Sequence, residues 1–450
     1  MHASRNLAYA GLLLGMAMAQ LDGLVLTAAL PSIGADLHAR TGLVAVTAAG
    51  LLTLTVATPL HGRLGDLYGR RASFAASVLV FAAASAWCAA APDVGVLIAA
   101  RALQGLGGSG LIVTAMSALG ELFDRDELLR RQGWQTAVFA AATLGGPPLG
   151  GLLAAGPGWR WIFLVNLPLC VPALVLGLRG LPAKPRRTAE KFDAGSGVLL
   201  VVAGSAVVAL GTFAARSPLW TPVLVAAAAL TGFLFVRRQR RVPSPLISPE
   251  VVADAVLARA VIVNGLAGAA LYGTFTYVAL VAALRTNAAG TGALLVAMAA
   301  GQLGLSASFA ALARKHPEMT AWGRFGCLLG TGGLAAITVA AARGGTPWLL
   351  VPGLFAIGAA FAVCTSAYTV LGQTRAKREL MGVTLGSLTF ARQAGGLAGA
   401  AVFGWLALAT TGALAAPGLA VVFAAAAATM LVAWLTAPVV TSADPASSRP

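Results

Sequence analysis

Acidic side chains are scarce in this chain: Asp and Glu number 15 among 450 residues, against 31 Lys and Arg. All charged residues together make up 10% of the sequence, where a soluble protein carries roughly 25%. A soluble chain of this length would need two or more domains with almost no polar surface, so that class is excluded. Cysteine is rarer still, at four residues. Cys88, Cys170, Cys327 and Cys364 are scattered through apolar stretches without metal-like spacing, so neither a disulfide framework nor a thiolate site is expected. His2, His38, His61 and His316 are not deep within apolar runs and offer no metal site. There is no G-x-x-x-x-G-K-S/T phosphate loop. The chain alone therefore has no visible nucleotide-driven motor, and no cofactor is expected.

What is present is apolar. Hydrophobic residues are 58% of the chain and the mean hydropathy is +0.84. A hydrocarbon core of ~30 Å takes ~20 apolar residues per helix. Apolar runs at about that length occupy 7–30, 43–61, 72–92, 94–119, 134–155, 161–180, 195–214, 218–236, 257–284, 289–312, 321–342, 347–371, 382–406 and 416–437, fourteen candidate helices. The sequence therefore predicts an all-α, multi-pass protein of the cell membrane. The first run is long and carries a carboxylate, so it is read as a span and not as a cleaved signal.

The net charge of +16 could suggest a nucleic-acid partner. Its distribution points elsewhere. With the N-terminus inside, only Arg40, Arg160, Arg216, Arg285 and Arg343 fall on outer loops, and only Arg101 and Arg392 within spans. The remaining basic residues fall inside, the positive-inside pattern, and an even number of spans puts the C-terminus inside too. The lipid bilayer, not nucleic acid, accounts for the charge.

Two basic, proline-containing connectors divide the chain. Residues 1–180 form a six-helix bundle, 181–254 hold connectors with two inserted helices, 255–437 form a second six-helix bundle, and 438–450 read as a disordered cytoplasmic tail. Paired bundles of this kind commonly enclose a substrate site near the midplane.

Among the acids only Asp22 falls well inside a span, roughly 5 Å beyond the midpoint of the first helix. A charged, unpaired carboxylate there costs roughly 2.5–3.5 kcal/mol, and intramembrane acids default to function. Asp22 is a candidate proton carrier, or else an acid that only bonds Thr27 or a neighbouring helix. Arg101, in the fourth span, is its natural counterpart, or it snorkels to the interface. Arg392 in the thirteenth span could touch a polar or anionic substrate or cap a helix end. Gly105-Leu-Gly-Gly-Ser-Gly110 matches a dinucleotide fingerprint literally but follows no strand, and reads as a small-residue packing face. Gly145-Gly-Pro-Pro-Leu-Gly-Gly151 predicts a bent fifth helix that a neighbour can approach closely. Gly62-Arg-Leu-Gly-Asp-Leu-Tyr-Gly-Arg-Arg71 reads as a polar turn between two spans. Gly62, Gly65 and Gly69 permit the reversal, and Asp66, Arg70 and Arg71 hold charge contacts at the membrane face.

These patterns resemble the fourteen-span drug:proton antiporter branch of the major facilitator superfamily. Leu21-Asp-Gly-Leu-Val-Leu-Thr-Ala-Ala-Leu-Pro31 is similar to the branch's first-helix motif, with Asp22 at its acidic position. The 62–71 segment matches the family's gating motif at Gly62, Asp66, Gly69 and Arg70. Arg101-Ala-Leu-Gln-Gly105 matches the fourth-helix motif, whose arginine is linked in the family to proton coupling. Gly133, Gly146-Pro147 and Gly150-Gly151 match the exporters' antiporter motif, with Ala142 in place of one glycine. Arg392-Gln-Ala-Gly-Gly-Leu-Ala-Gly399 looks like the usual thirteenth helix. The second half departs at Leu312-Ala-Arg-Lys-His-Pro-Glu-Met-Thr-Ala-Trp-Gly323, where the family often keeps a weaker copy of the gating loop, so an asymmetric gate is expected.

The resemblance implies two six-helix bundles plus a two-helix insert, fourteen transmembrane helices with cytoplasmic termini. It implies a monomeric, proton-driven exporter of a small amphipathic compound. The alternative is a proton-coupled importer of a small metabolite on the same fold. A receptor would not need an acid–arginine pair, and a membrane enzyme lacks any nucleophile–base constellation. Candidate substrate contacts are the midplane polar and aromatic residues Gln20, Gln104, Trp134, Gln135, Phe139, Asn264, Tyr272, Tyr277, Arg392 and Gln393. With one membrane acid, a neutral, zwitterionic or monocationic substrate is expected ahead of a dication.

Overall fold

The computed structural model describes residues 2–38, 43–183, 193–213, 220–242, 245–247, 249–286, 288–344, 346–411 and 415–439. Every described element is helical. The first group comprises α1 (His2–Asp36), α2 (Leu43–Tyr68), α3 (Arg70–Ala89), α4 (Val94–Leu122), α5 (Arg125–Ala155), α6 (Trp161–Leu164) and α7 (Asn166–Gly180). Next come α8 (Ala194–Phe213), α9 (Trp220–Gln239) and α10 (Pro249–Ala253). The last group is α11 (Ala255–Ala267), α12 (Phe275–Ala283), α13 (Ala288–Lys315), α14 (Met319–Arg343), α15 (Val351–Arg375), α16 (Met381–Thr411) and α17 (Ala416–Thr436). Each of the fourteen apolar runs coincides with a helix or a broken pair. Among the described residues twelve are long and apolar enough to cross a membrane, or thirteen if the bent α5 counts as one. The apolar part of α8, Gly195–Ala206, falls short. Arg40, Lys184, Arg186, Arg187, Lys191, Arg216, Arg449 and residues 440–450 of the tail lie outside the described residues.

Short polar loops start the helices. Asp93 accepts from the Val96 amide at 2.9 Å, Asp124 from Glu127 at 2.9 Å, and Asp254 from Val256 and Leu257 at 2.9 and 3.1 Å. Each satisfies amides that a helix start leaves open. Helix α1 packs on α4, α5 and α7, and α2 on α4, while α14 packs on α15 and α17 and α11 on α16. The two groups meet where α2 lies along α16 and α5 along α13.

The insert sits on one of these seams. Helix α8 contacts both α2 and α16, and α9 packs on α8. Val56, Leu200, Phe235 and Leu246 form its buried apolar patch. A polar clasp holds the pair: Arg238 Nε and Nη2 donate to Asp193 at 3.0 and 2.6 Å, and Ser196 also donates to that carboxylate. Gln239 Nε2 donates to Ser196 Oγ at 2.6 Å, and its Oε1 accepts from the Leu246 amide at 2.7 Å. The Arg238 guanidinium holds the Asp193 carboxyl down at about 2. A depressed carboxyl stabilises the fold above the ordinary Asp range, and that contribution fades as pH falls through the lowered value. The Leu246 amide should therefore exchange slowly at about pH 5 and faster, corrected for intrinsic rate, near about pH 2. Asp193→Asn should exchange fast at both. Equal protection of that variant at the higher pH would show that the clasp does not hold the insert.

Two local features differ from the sequence reading. The 62–71 segment is not an extended turn. Helix α2 continues through Tyr68, and Gly69 alone, at φ 85°, makes the reversal before α3. A left-handed residue there requires glycine. Between α11 and α12, the single run read at 257–284 is interrupted by a π-helical turn at Gly268–Tyr272. Helix α5 is bent by 42° between Arg125–Gly146 and Pro148–Ala155, as its paired prolines dictate.

Candidate functional site

Asp22 lies in a buried polar network between α1, α3, α4 and α7. One carboxylate oxygen, Oδ2, accepts from Arg101 Nη1. The other, Oδ1, accepts from Gln104 Nε2 at 2.8 Å and Asn166 Nδ2 at 3.3 Å. Gln104 also donates to Ser85 Oγ at 2.9 Å, and its own oxygen accepts from Arg101. Arg101 does not snorkel; it is 4% exposed, against 7% for Asp22. Gly50 makes room for it, since a β-carbon there would lie 2.9 Å from Arg101 Nη2. Three donors thus converge on the two carboxylate oxygens, and Arg101 is the charged one among them. Asn166, Ser85 and Gly50 were not singled out in the sequence. Asn166 was the legible one, a lone amide within the 161–180 run.

A separate cavity lies between the two helix groups. Its lining is Met16, Gln20, Ile112, Met116, Gln135, Thr136, Phe139, Tyr272, Phe361, Thr365 and Arg392, and its volume is about 40 Å³. That holds a few waters, while drug-sized ligands occupy pockets of roughly 300–1,000 Å³, so this conformation is contracted around the site. The Phe139 and Phe361 rings stack at 4.8 Å between centroids, and Tyr272 lies 4.8 Å from Phe361. Gln20, Gln135, Phe139, Tyr272 and Arg392 of the sequence candidates line this cavity. The other five lie elsewhere. Gln104 is held in the Asp22 network, and Trp134 is on the exposed surface of α5. Asn264 donates to its own helix at Ala260 O (2.9 Å), and Tyr277 to Ala400 O (2.7 Å). The Gln393 oxygen accepts from Thr58 at 2.9 Å across the α2–α16 seam.

At the Gly69 end the two groups are latched. Asp66 is almost fully buried and accepts from the Gly382 and Val383 amides, each at 2.9 Å. It thereby caps the start of α16 from the opposite helix group. Arg70 bridges Asp66 and Glu121, the latter at 3.0 Å. Gly65 leaves space for the Arg70 guanidinium, and Gly62 meets the Gly382 carbonyl so closely that a β-carbon would overlap it. Arg71 is half-buried at the start of α3. Gln373 Nε2 adds a bond to Met116 O at 2.9 Å. In the second half, the 312–323 segment has a lesser contact: Arg125, at the start of α5, donates to Pro317 O.

The α5 glycines are not equivalent. A β-carbon at Gly146 would lie 2.7 Å from Leu24 Cβ, and one at Gly150 would overlap Val25 O. These two let α5 press on the turn of α1 just beyond Asp22. Gly151 faces open space, and Gly133 lies near Ser306 O at 3.5 Å from an added β-carbon. Pro147 sits at the bend.

Long apolar helices in two groups around a central cavity, latched at one end, define a multi-pass membrane protein. The Major Facilitator Superfamily family model matches residues 12–400, and the chain belongs to that superfamily. It is 34% identical over 202 residues to the multidrug transporter protein MdtP of Bacillus subtilis, covering 45% of this chain and 37% of that protein. It is 36% identical over 266 residues to puromycin resistance protein pur8 of Streptomyces alboniger, covering 57% and 52%. The chain thus spans about a third to a half of the length of these two relatives. The solved structure of the human organic anion transporter MFSD10 (TETRAN) superimposes with a TM-score of 0.71 over 96% of this chain and 99% of that one. At 16% identity the likeness is one of fold alone.

Proposed function

We propose that this chain is a proton-coupled antiporter that exports a small amphipathic organic compound from the cytoplasm by alternating access. The observation that carries the reading is the buried Asp22–Arg101 pair with its Gln104 and Asn166 donors, set apart from the central cavity. A carboxylate that changes partners as helices shift can move a proton without touching the substrate. The drug-resistance names of the relatives favour export over import.

In this reading the Gly69 face is cytoplasmic, as are both termini. The bent α5 and α8 complete fourteen spans, arranged as residues 1–180 and 255–437 flanking the 181–254 insert. The monomer works without a cofactor. The contracted, latched structure stands for the state closed to the cytoplasm. Asp22 takes a proton from outside, loosening its hold on Arg101, and delivers it inside as substrate binds. Release of the Asp66 latch opens the cavity to the cytoplasm, and its re-formation drives the substrate outward.

Purified protein in proteoliposomes under an imposed pH gradient tests this. Outward-directed dye flux should require the gradient and should dissipate it in proportion. Flux that ignores the gradient would leave a uniporter. Flux in the same direction as the protons would make the chain a symporter.

A further inference from the structure

The charge of the cavity lining is unbalanced. Among the described residues the lining contains Arg392 and no acid. Asp22 cannot compensate it, because both its oxygens are occupied by Arg101, Gln104 and Asn166. Arg392 Nε is a buried donor without a partner, and so is Gln135 Nε2, on a side chain only 6% exposed. The Arg392 guanidinium carbon lies 5.9 Å from the Tyr272 ring centroid, and a neutral phenol does not neutralise it. Arginine stays charged at any physiological pH. Arg392 is half-buried with no carboxylate beside it in the lining, and buried donor atoms without partners ask for a ligand that supplies acceptors.

We propose that the cavity takes an amphipathic aromatic anion, such as a compound bearing a carboxylate or sulfonate. Its anionic group sits on Arg392 and Gln135, and its ring lies against Phe139, Phe361 and Tyr272. A guanidinium pairs with such oxyanions through two parallel bonds, and the three rings supply the flat apolar wall. This rests on the transporter reading and narrows it. The sequence alone admitted a monocation, but Arg392 repels one in this cavity. The π-helical turn belongs to the same design, since it ends at Tyr272 and puts that ring over Arg392.

Equilibrium binding to the full chain in detergent, read by fluorescence anisotropy, tests the assignment. Three xanthene dyes serve as probes: fluorescein, rhodamine B and the ethyl ester of rhodamine B, with net negative, zero and positive charge. Fluorescein should bind tightest and the ester weakest, with roughly tenfold or more between them. Arg392→Gln should remove the order and weaken fluorescein by a similar factor. Arg392→Lys, which keeps the charge and controls for folding, should retain the order. Tightest binding of the ester, an order that survives Arg392→Gln, or binding of none of the dyes overturns the proposal. No proton gradient enters the measurement. Failure of coupled export would thus appear in the flux assay with the binding order intact. Coupled export of the cationic ester, without preference for the anion, would sink this assignment alone.

Discussion

Asp66→Ala is expected to slow transport on the order of 100-fold without any loss of substrate affinity. Two backbone amides of α16 donate to this carboxylate, and Arg70 stands beside it. Each bond from an amide to a buried charge contributes about 1.5–3 kcal/mol, and the carboxylate also opposes the positive end of the α16 dipole. Asp66 is almost fully buried, so solvent screening does not discount these terms. In the alternating-access reading all of them exist only while the latched face is closed; once it opens, water would hydrate the carboxylate and the amides. Removing the carboxylate therefore shifts the equilibrium toward the open form by about 3 kcal/mol or more, a factor of roughly 100. Asp66→Asn, which keeps one acceptor, should fall between. Gly62→Ala reaches the same end by another route, because its β-carbon would overlap the Gly382 carbonyl. Turnover and dye affinity, measured on the same preparations, decide the matter. A loss of affinity equal to the loss of turnover would place Asp66 in the substrate path and remove the latch.

The asymmetry of the latch has a structural reason. Helix α16 is capped in trans by Asp66, whereas its counterpart in the first group, α5, is capped in cis by Asp124. The start of α5 therefore has no call on a partner from the second half. The 312–323 segment, lacking the glycine–aspartate pattern, contributes only a carbonyl to Arg125. One seam closes on a buried carboxylate, and the other on the exposed Arg125 bond to Pro317 and a Ser306 Oγ bond to Gly133 O at 3.3 Å, so opening should be governed at the α2–α16 seam. That is also the seam on which α8 is laid.

Much of this was legible in the sequence, because lipid imposes length and apolarity on every span. The helices coincide with the apolar runs for that reason. Asp22 and Arg101 stood out because charge in an apolar run is costly, and their pairing over 79 positions follows from the same cost. The 62–71 segment was legible as a family pattern but not as a shape. Polar residues look like a loop, yet Gly62 to Tyr68 stay helical because the helix end reaches the opposing group and is buried there. The cavity was half legible. Gln135 and Arg392 announce themselves as polar groups among apolar neighbours, whereas Met16, Ile112, Met116 and Phe361 look like any other packing residue. Which apolar side chains face a cavity depends on how helices rotate against one another. The π-helical turn at Gly268–Tyr272 changes that rotation, and no spacing in a uniformly apolar run marks it.

Asp22→Asn should abolish gradient-driven accumulation while sparing downhill flux. With the membrane potential held at zero, exchange of one proton per cycle supports a roughly tenfold concentration ratio per pH unit, and the variant should give a ratio of about one. The single variant is an impure test. It leaves Arg101 buried without a counter-charge, and breaking a buried pair costs about 3–5 kcal/mol, so lost activity could reflect lost fold. The double variant Asp22→Asn, Arg101→Gln removes both charges and should recover most of the thermal stability. Gln104 and Asn166 remain to bond the neutral amides. Recovery of stability without recovery of coupling assigns the proton to Asp22. If the stable double variant still accumulates substrate against its gradient and acidifies the opposite compartment, the proton travels by another group. The buried pair is then only a brace between α1 and α4.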